Sequence, residues 1–425
     1  KVLHLKGSSQ WGGITHLRTK SARFEADISA YCMNIHAKDS LYVPQQGRFT
    51  VGRHLSLRTD GSHSFEGGVY LTPDLKGIRK FSAQTRAFLS QIPQGIFFHS
   101  RNKMGQHGVV KATAGRIRFE TKNKFSDLNG FTQTGVFQKQ DDIQIIAQHA
   151  DLFGQIFLRS NGYVIAEDAT LKGLREGAHL LLLKVKNNLD QWEGDRNETK
   201  SLYVDAGQAR LAGQNHTQND QVIKAEQGVV FASTSQTSAE NLQVAADTIL
   251  DESGAYAVIK DSLVKKARTF LITQKDSASS AHNTALISDG ILDAGGVIKS
   301  TNAAQLLAKG VLTLKSTLRA STPSFLTDSD KLDTEVGHVV VAQNRHHKTK
   351  KDQNIKGFIT GKNNIFESSE GDIAVIGDID STQNTALIGK NVKVTSTGQV
   401  KSGETTAVKS QQWFHHRGKM SAKQH

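Results

Sequence analysis

The sequence predicts an all-β fold: short parallel strands wound into a solenoid of coils about twenty residues long. Three observations lead there. Apolar residues recur two apart, as in Leu55/Leu57, Val69/Leu71, Ile117/Phe119, Ile156/Leu158, Leu312/Leu314 and Val392/Val394, and such alternation marks a half-buried strand. A pentapeptide of the form G-x-(Val/Ile)-x-S occurs at Gly296–Ser300, Gly377–Ser381 and Gly398–Ser402, spaced by 81 and 21 residues. Those spacings are close to four turns and one turn of a single repeat. Finally, 37 Gly stand beside only 4 Pro. Gly suits tight corners, whereas Pro withdraws an N–H that a continuous ladder needs.

Along such a chain each coil holds two or three strands, and each strand pairs with its equivalent one coil away, about 4.8 Å off. Alternate side chains fill a narrow interior, and Asn, Ser and Thr stack on their counterparts to satisfy one another. About twenty coils are expected. Residues 239–250 can also be read as a helix, although Val244 and Ile249 suit strands. The repeat is regular over 241–425 and blurred over 1–240, where most of the Phe lies (Phe24, Phe49, Phe65, Phe81, Phe88, Phe97, Phe98, Phe119). The earlier region is therefore expected either to have more decorated coils or to carry its own binding surface. Propellers and sandwiches fit less well. The former need a period of about 40–45 residues, and the latter give no reason for a repeated pentapeptide.

The net charge of +13 is uneven: about +7 over residues 1–100, +3 over 101–200, −3 over 201–300 and +6 over 301–425. A basic surface attracts anionic partners. The single Cys32 excludes a disulfide framework and a cysteine zinc site, and no apolar run is long enough for a membrane helix. The chain starts at Lys1 without a signal segment and is expected to be an internal piece of a longer protein.

Little in the sequence carries chemistry. A candidate anion-binding set is the basic run Arg345, His346, His347, Lys348, Lys350 and Lys351, read alternatively as an exposed, charge-solubilised loop. Nucleic acid is not expected there, because no aromatic residues interleave the charges. Adjacent His pairs (His346/His347, His415/His416) lack a spaced third ligand, so no metal is expected, and no cofactor motif is present. Asp141-Asp142 and Gly105-Gln-His-Gly108 are the sparse hints of a β-helical polysaccharide hydrolase. That chemistry needs paired carboxylates, and neighbours on one strand face opposite ways.

The stretch GKNNIFESSEGDIAVIGDIDSTQNTALIGKNVKVTSTGQVKSGE (Gly361–Glu404) resembles the hemagglutinin repeats of the filamentous hemagglutinin family, where G-D-Φ-x-Φ-x-G-x-x-Φ-x-S alternates with G-x-N-Φ-x-Φ-x-(A/S). Arg345–Lys348 and Phe414–Lys419 are similar to basic segments that interrupt those repeats. The family includes two-partner-secretion adhesins and contact-dependent growth inhibition effectors. The resemblance implies a right-handed parallel β-helix with decorating loops or hairpins, secreted to the surface of a Gram-negative bacterium. It implies a non-enzymatic, monomeric stalk segment whose 1–240 part recognises a receptor (protein, lipopolysaccharide or acidic glycan) on the outer membrane of another bacterium or on a host cell. An outer-membrane secretion partner would serve the full-length protein. The alternative is a β-helix enzyme degrading acidic glycans.

Overall fold

The computed structural model describes residues 1–72, 82, 84, 91–92, 94–112, 116–127, 131–133 and 142–423. Phe81, Phe88, Phe137 and Asp141 lie outside the described residues. The chain is all-β, with 77% of it in strands, and the strands pair in parallel throughout the described ladders. It divides into two compact units. The first is Lys1–Gly207 with Gly213–Gln218, and the second is Gln208–Ala212 with Asn219–His425. Residues 219–240 thus pack with the regular coils. Both units are parallel β-solenoids, and between them they hold about 17 turns of roughly 21 residues.

In the second unit a coil makes three strand runs, for example Val339–Ala342, Asn344–Thr349 and Gln353–Ile355. The three pentapeptides occupy one position in this frame. Val297, Arg319, Val339, Phe358, Asp378 and Gln399 are successive register partners, so the first and second copies are four coils apart and the second and third one coil apart. The hydrophobes Ile298, Ile379 and Val400 are all inside. The serines turn inward at the corner: Ser300 donates to Thr284 Oγ1 at 2.7 Å, and Ser402 donates to Thr385 Oγ1 at 2.8 Å. Each motif is a corner rule, an apolar plug followed by a hydroxyl that satisfies the next bend.

Asparagines stack as expected. Asn363 Nδ2 donates to Asn344 Oδ1 and Asn384 Nδ2 to Asn363 Oδ1, both at 3.0 Å. Pro323 interrupts Arg319–Thr334 at a position that the register passes over. Residues 239–250 are strand, in Gln236–Ala246 and Ile249–Glu252. Parallel pairing on both sides overrides the weak helical spacing.

Two glycines show what the corners demand. Gly296 has φ of 71°, a conformation in which L side chains are strained. Gly398 is held by proximity, since a Cβ there would press into the carbonyl oxygen of Val375 one coil back. Gly398→Ala is expected to cost about 1–3 kcal/mol by overpacking, with faster hydrogen exchange along Gln399–Ser402. Gly12→Ala, with open space around the new methyl, should be near neutral. Equal effects at the two sites would contradict this packing.

The first unit uses its aromatic residues differently from a binding surface. Phe24, Phe49, Phe65, Phe98, Phe119 and Phe125 are all buried. Phe24 meets Phe49 edge-on at 5.3 Å, and Phe65, Phe98, Phe119 and Phe125 form a run in which Phe98 and Phe119 are parallel at 4.9 Å and Phe119 and Phe125 lie at 5.1 Å. The Phe bulk fills the coil interior. Phe97 alternates outward and is only half-buried.

Candidate functional site

The basic run of the second unit is not an insertion but part of a regular coil. Arg345–Lys348 lie within the strand Val339–Thr349 in register with the coils before and after it, Lys350 and Lys351 sit at the corner that follows, and the second run of the coil alternates inward and outward. Arg345 and His347 point in, at 2% and 1% exposure. They occupy the columns of Phe325 and Phe366, their neighbours about twenty residues away. His347 stacks on Phe366 at 4.9 Å and its Nδ1 meets Thr327 Oγ1 at 2.9 Å. Arg345 donates to the carbonyls of Val340 and Thr360, while its Nε and Nη1 have no partner among the described residues. Burial lowers the Arg345 pKa to about 9 and, with the nearby guanidinium, pushes His347 well below the ordinary imidazole range. Neither side chain can touch an external anion.

His346, Lys348, Lys350 and Lys351 do face out, but each meets acid from an adjacent coil. His346 lies 3.0 Å from Glu367, Lys350 3.9 Å from Glu370 and Lys351 2.7 Å from Asp330. Lys348 sits between its register partners Asp328 and Glu367. Together with Asp289 and Lys309, several of these line an open groove of about 440 Å³. The corner position beside it alternates sign coil by coil: Asp247, Arg268, Asp289, Lys309, Asp330, Lys350. Arg268 is 3.4 Å from Asp247 and Lys309 2.8 Å from Asp289. Opposite charges on stacked strands attract and like charges repel, so this is a stabilising ladder. The groove is locally balanced, and nothing in its charge favours an anion.

The first unit breaks that pattern. On the second run of its early coils, His36, Arg58, His99 and Glu120 stack in register, with Ser56, Phe97 and Arg118 in the adjacent outward column. The corner beyond carries Lys38, Asp60, Arg101 and Lys122. The corner alternates from Lys38 to Asp60 to Arg101 and then sets Lys122 beside Arg101, while Arg58 has no carboxylate on either side in its column. Asp60 is shared by His36 and Arg101, both at 3.3 Å, and Glu120 by Arg118 at 2.9 Å and His99 at 3.9 Å. Arg58 is exposed and has no ion-pair partner among the described residues. The His54 and Phe97 rings lie 5.1 Å apart beside them. These residues are scattered from His36 to Lys122 and form no run. A signal was present, in that they recur on a twenty-residue beat broken by the longer segment between Leu71 and Gly95, which shifts the count.

The residues singled out for hydrolysis come out separately. The Asp142 carboxylate is engaged by Arg116 and accepts from Gln144 Nε2 at 2.9 Å. Gln106 is buried and donates to the Gly108 carbonyl at 3.0 Å. A more enzyme-like juxtaposition went unseen in the sequence. Glu176, Glu198 and His216 are successive register partners and line a groove of about 340 Å³. Glu198 is ion-paired with Arg196. Among the described residues no three His, Cys, Asp or Glu side chains are placed to hold a metal ion.

By fold the chain is a parallel β-solenoid protein. No family model, no curated protein and no solved structure matches it.

Proposed function

We propose that the chain is a non-enzymatic segment of a secreted filamentous exoprotein. It would be carried on a Gram-negative cell surface, with an outer-membrane secretion partner for the full-length protein, and recognise a receptor on a neighbouring bacterial or host cell. The division of labour within the chain supports this reading. The second unit devotes its repeats to hydroxyl, asparagine and charge ladders that hold coils together, and it includes the stretch resembling hemagglutinin repeats. The first unit presents an outer face that gives up such balance. Recognition therefore belongs to the first unit, and the second acts as a stalk, without cofactor or nucleic acid. Incubation of the purified chain with intact bacterial and host cells tests it. Saturable binding to at least one cell type is expected, and absence of binding to all of them overturns receptor recognition.

A second reading, an enzyme acting on acidic glycans, draws on the Glu176–Glu198–His216 column. Carboxylates on adjacent strands fall near the short separation that retaining glycosidases use, about 5–5.5 Å. Release of new reducing ends from polygalacturonate by the chain, abolished by Glu176→Gln, would establish that activity. The stalk reading predicts no release.

A further inference from the structure

We infer that the outer face built from Arg58, His99, Arg101 and Arg118, with Phe97 beside them, is a binding site for an acidic glycan, taken up along the stacking direction of the coils. The two units treat stacked charge differently. Where the second unit stacks charges on one corner it alternates their sign over six coils, because like charges about 4.8 Å apart on paired strands repel. At the early coils of the first unit the alternation holds from Lys38 to Arg101 and then stops, and the second-run column beside it sets no carboxylate against Arg58. Arg58 has a histidine on each side, at His36 and His99, and Arg101 is followed at the corner by Lys122. The carboxylates present, Asp60 and Glu120, are each shared between two basic groups, so the face keeps surplus positive charge at the pH where the imidazoles are neutral.

A face whose acids are outnumbered in this way fits a partner that brings its own regularly spaced anions. Guanidinium groups offer planar, bidentate donors to sulfate, phosphate or carboxylate. Phe97 supplies an apolar platform against which a sugar ring can lie. A single aromatic group among the cations does not make the run of stacking surfaces that single-stranded nucleic acid uses. The glycan can reach the face as a free polysaccharide or as the headgroup of a glycolipid, since both present the same groups.

The inference deepens the recognition reading and rests on it. Its test measures binding of the intact chain to dextran sulfate, with uncharged dextran and single-stranded DNA of matched length as comparisons. Phosphatidylcholine vesicles with and without lipopolysaccharide form a second arm. Binding to dextran sulfate that weakens with salt, no binding to dextran, and weaker binding to DNA are expected. Arg58→Gln/Arg118→Gln should lose about tenfold per guanidinium removed, and Arg58→Lys should keep most of the affinity. Lys348→Gln/Lys350→Gln/Lys351→Gln in the balanced groove should bind as the parent does. Binding in the vesicle arm alone, lost in the arginine variant, supports the glycolipid source. Equal loss in both triple and double variants, loss in the triple variant alone, or DNA binding at least as tight as dextran sulfate overturns the inference. If the arginine variant still binds cells as the parent does, this site is wrong and receptor recognition stands. If the parent binds no cells, the recognition reading itself fails.

Discussion

Asp195→Ala is expected to destabilise the first unit by about 3–5 kcal/mol, the cost of stranding a buried charge. Arg175 and Asp195 are 1% and 0% exposed and form an ion pair inside the coil. The carboxylate also accepts from Gly173 N at 2.8 Å and Gln191 Nε2 at 2.7 Å. The guanidinium Nε donates to Asn197 Oδ1 at 2.6 Å, and Asn197 Nδ2 in turn donates to Asn215 Oδ1 at 2.6 Å. Arg175, Asn197 and Asn215 continue a column in which the hydrophobes Phe49, Val69, Val110 and Ile156 precede them. Burial already lowers the Arg175 pKa to about 9, so the pair survives on its partners. Removing Asp195 leaves the buried Arg175 cation with Asp127 as its remaining counter-charge and orphans Gly173 N. Adding Arg175→Met should recover part of the loss, because an apolar side chain continues the Ile156 column. Hydrogen exchange of Leu174–Glu176 and Arg196–Thr199 reports the change locally. A loss under about 1 kcal/mol, or a double variant worse than Asp195→Ala, would mean the pair is not the keystone described.

The second large effect is acid sensitivity centred on His63. Its ring is 2% exposed, and neither nitrogen has a partner among the described residues. It packs between Phe65 at 6.4 Å and Phe98 at 5.5 Å, with Leu41 and Met104 as register partners. Burial lowers its pKa from the ordinary 6.5 to about 3. Between those values the unfolded chain binds a proton that the folded chain refuses, so stability falls as pH drops. The folded state should lose about 3 kcal/mol from this group by pH 4.5 and about 4 kcal/mol by pH 3. His63→Phe removes the titration and two orphaned nitrogens while keeping an aromatic ring in the stack. The variant should match or exceed the parent at pH 7, and its advantage should grow by about 3 kcal/mol by pH 4.5. Exchange of Ser62–Phe65 and Gly95–Ser100 across that range measures it. Parallel pH profiles for the two proteins would contradict a buried neutral imidazole.

Much of the fold was legible because a solenoid writes its geometry as a period. The 81- and 21-residue spacings of the pentapeptide are coil counts, and Val400 inside with Ser402 at the corner follows from alternation. The surface was legible far less. A run such as Arg345–Lys351 reads as a basic patch, yet the nearest neighbours of Lys350 and Lys351 are Glu370 and Asp330, on other coils. The corner before Asn344 also resets the alternation, which sends Arg345 and His347 inward. The converse holds for Arg58, which is isolated among neutral residues in the sequence and stacked between two histidines in space. Phe content misled in the same way, since ring size says nothing about which side of a strand is inside. Columns are the unit in which charge and bulk must be counted, and their offsets become known only when every coil length is known.

That claim of stacked columns is open to one direct measurement. Nitroxide labels at Lys299 and Lys401, both exposed, lie five register steps apart through Ser321, Val341, Thr360 and Asp380. At about 4.8 Å per step, pulsed electron resonance should give a narrow distribution near about 24 Å, shortening by about 5 Å when the second label moves to Asp380. A broad distribution, or a distance that does not shorten on that move, would contradict the stacking of the three pentapeptides on one edge of successive coils.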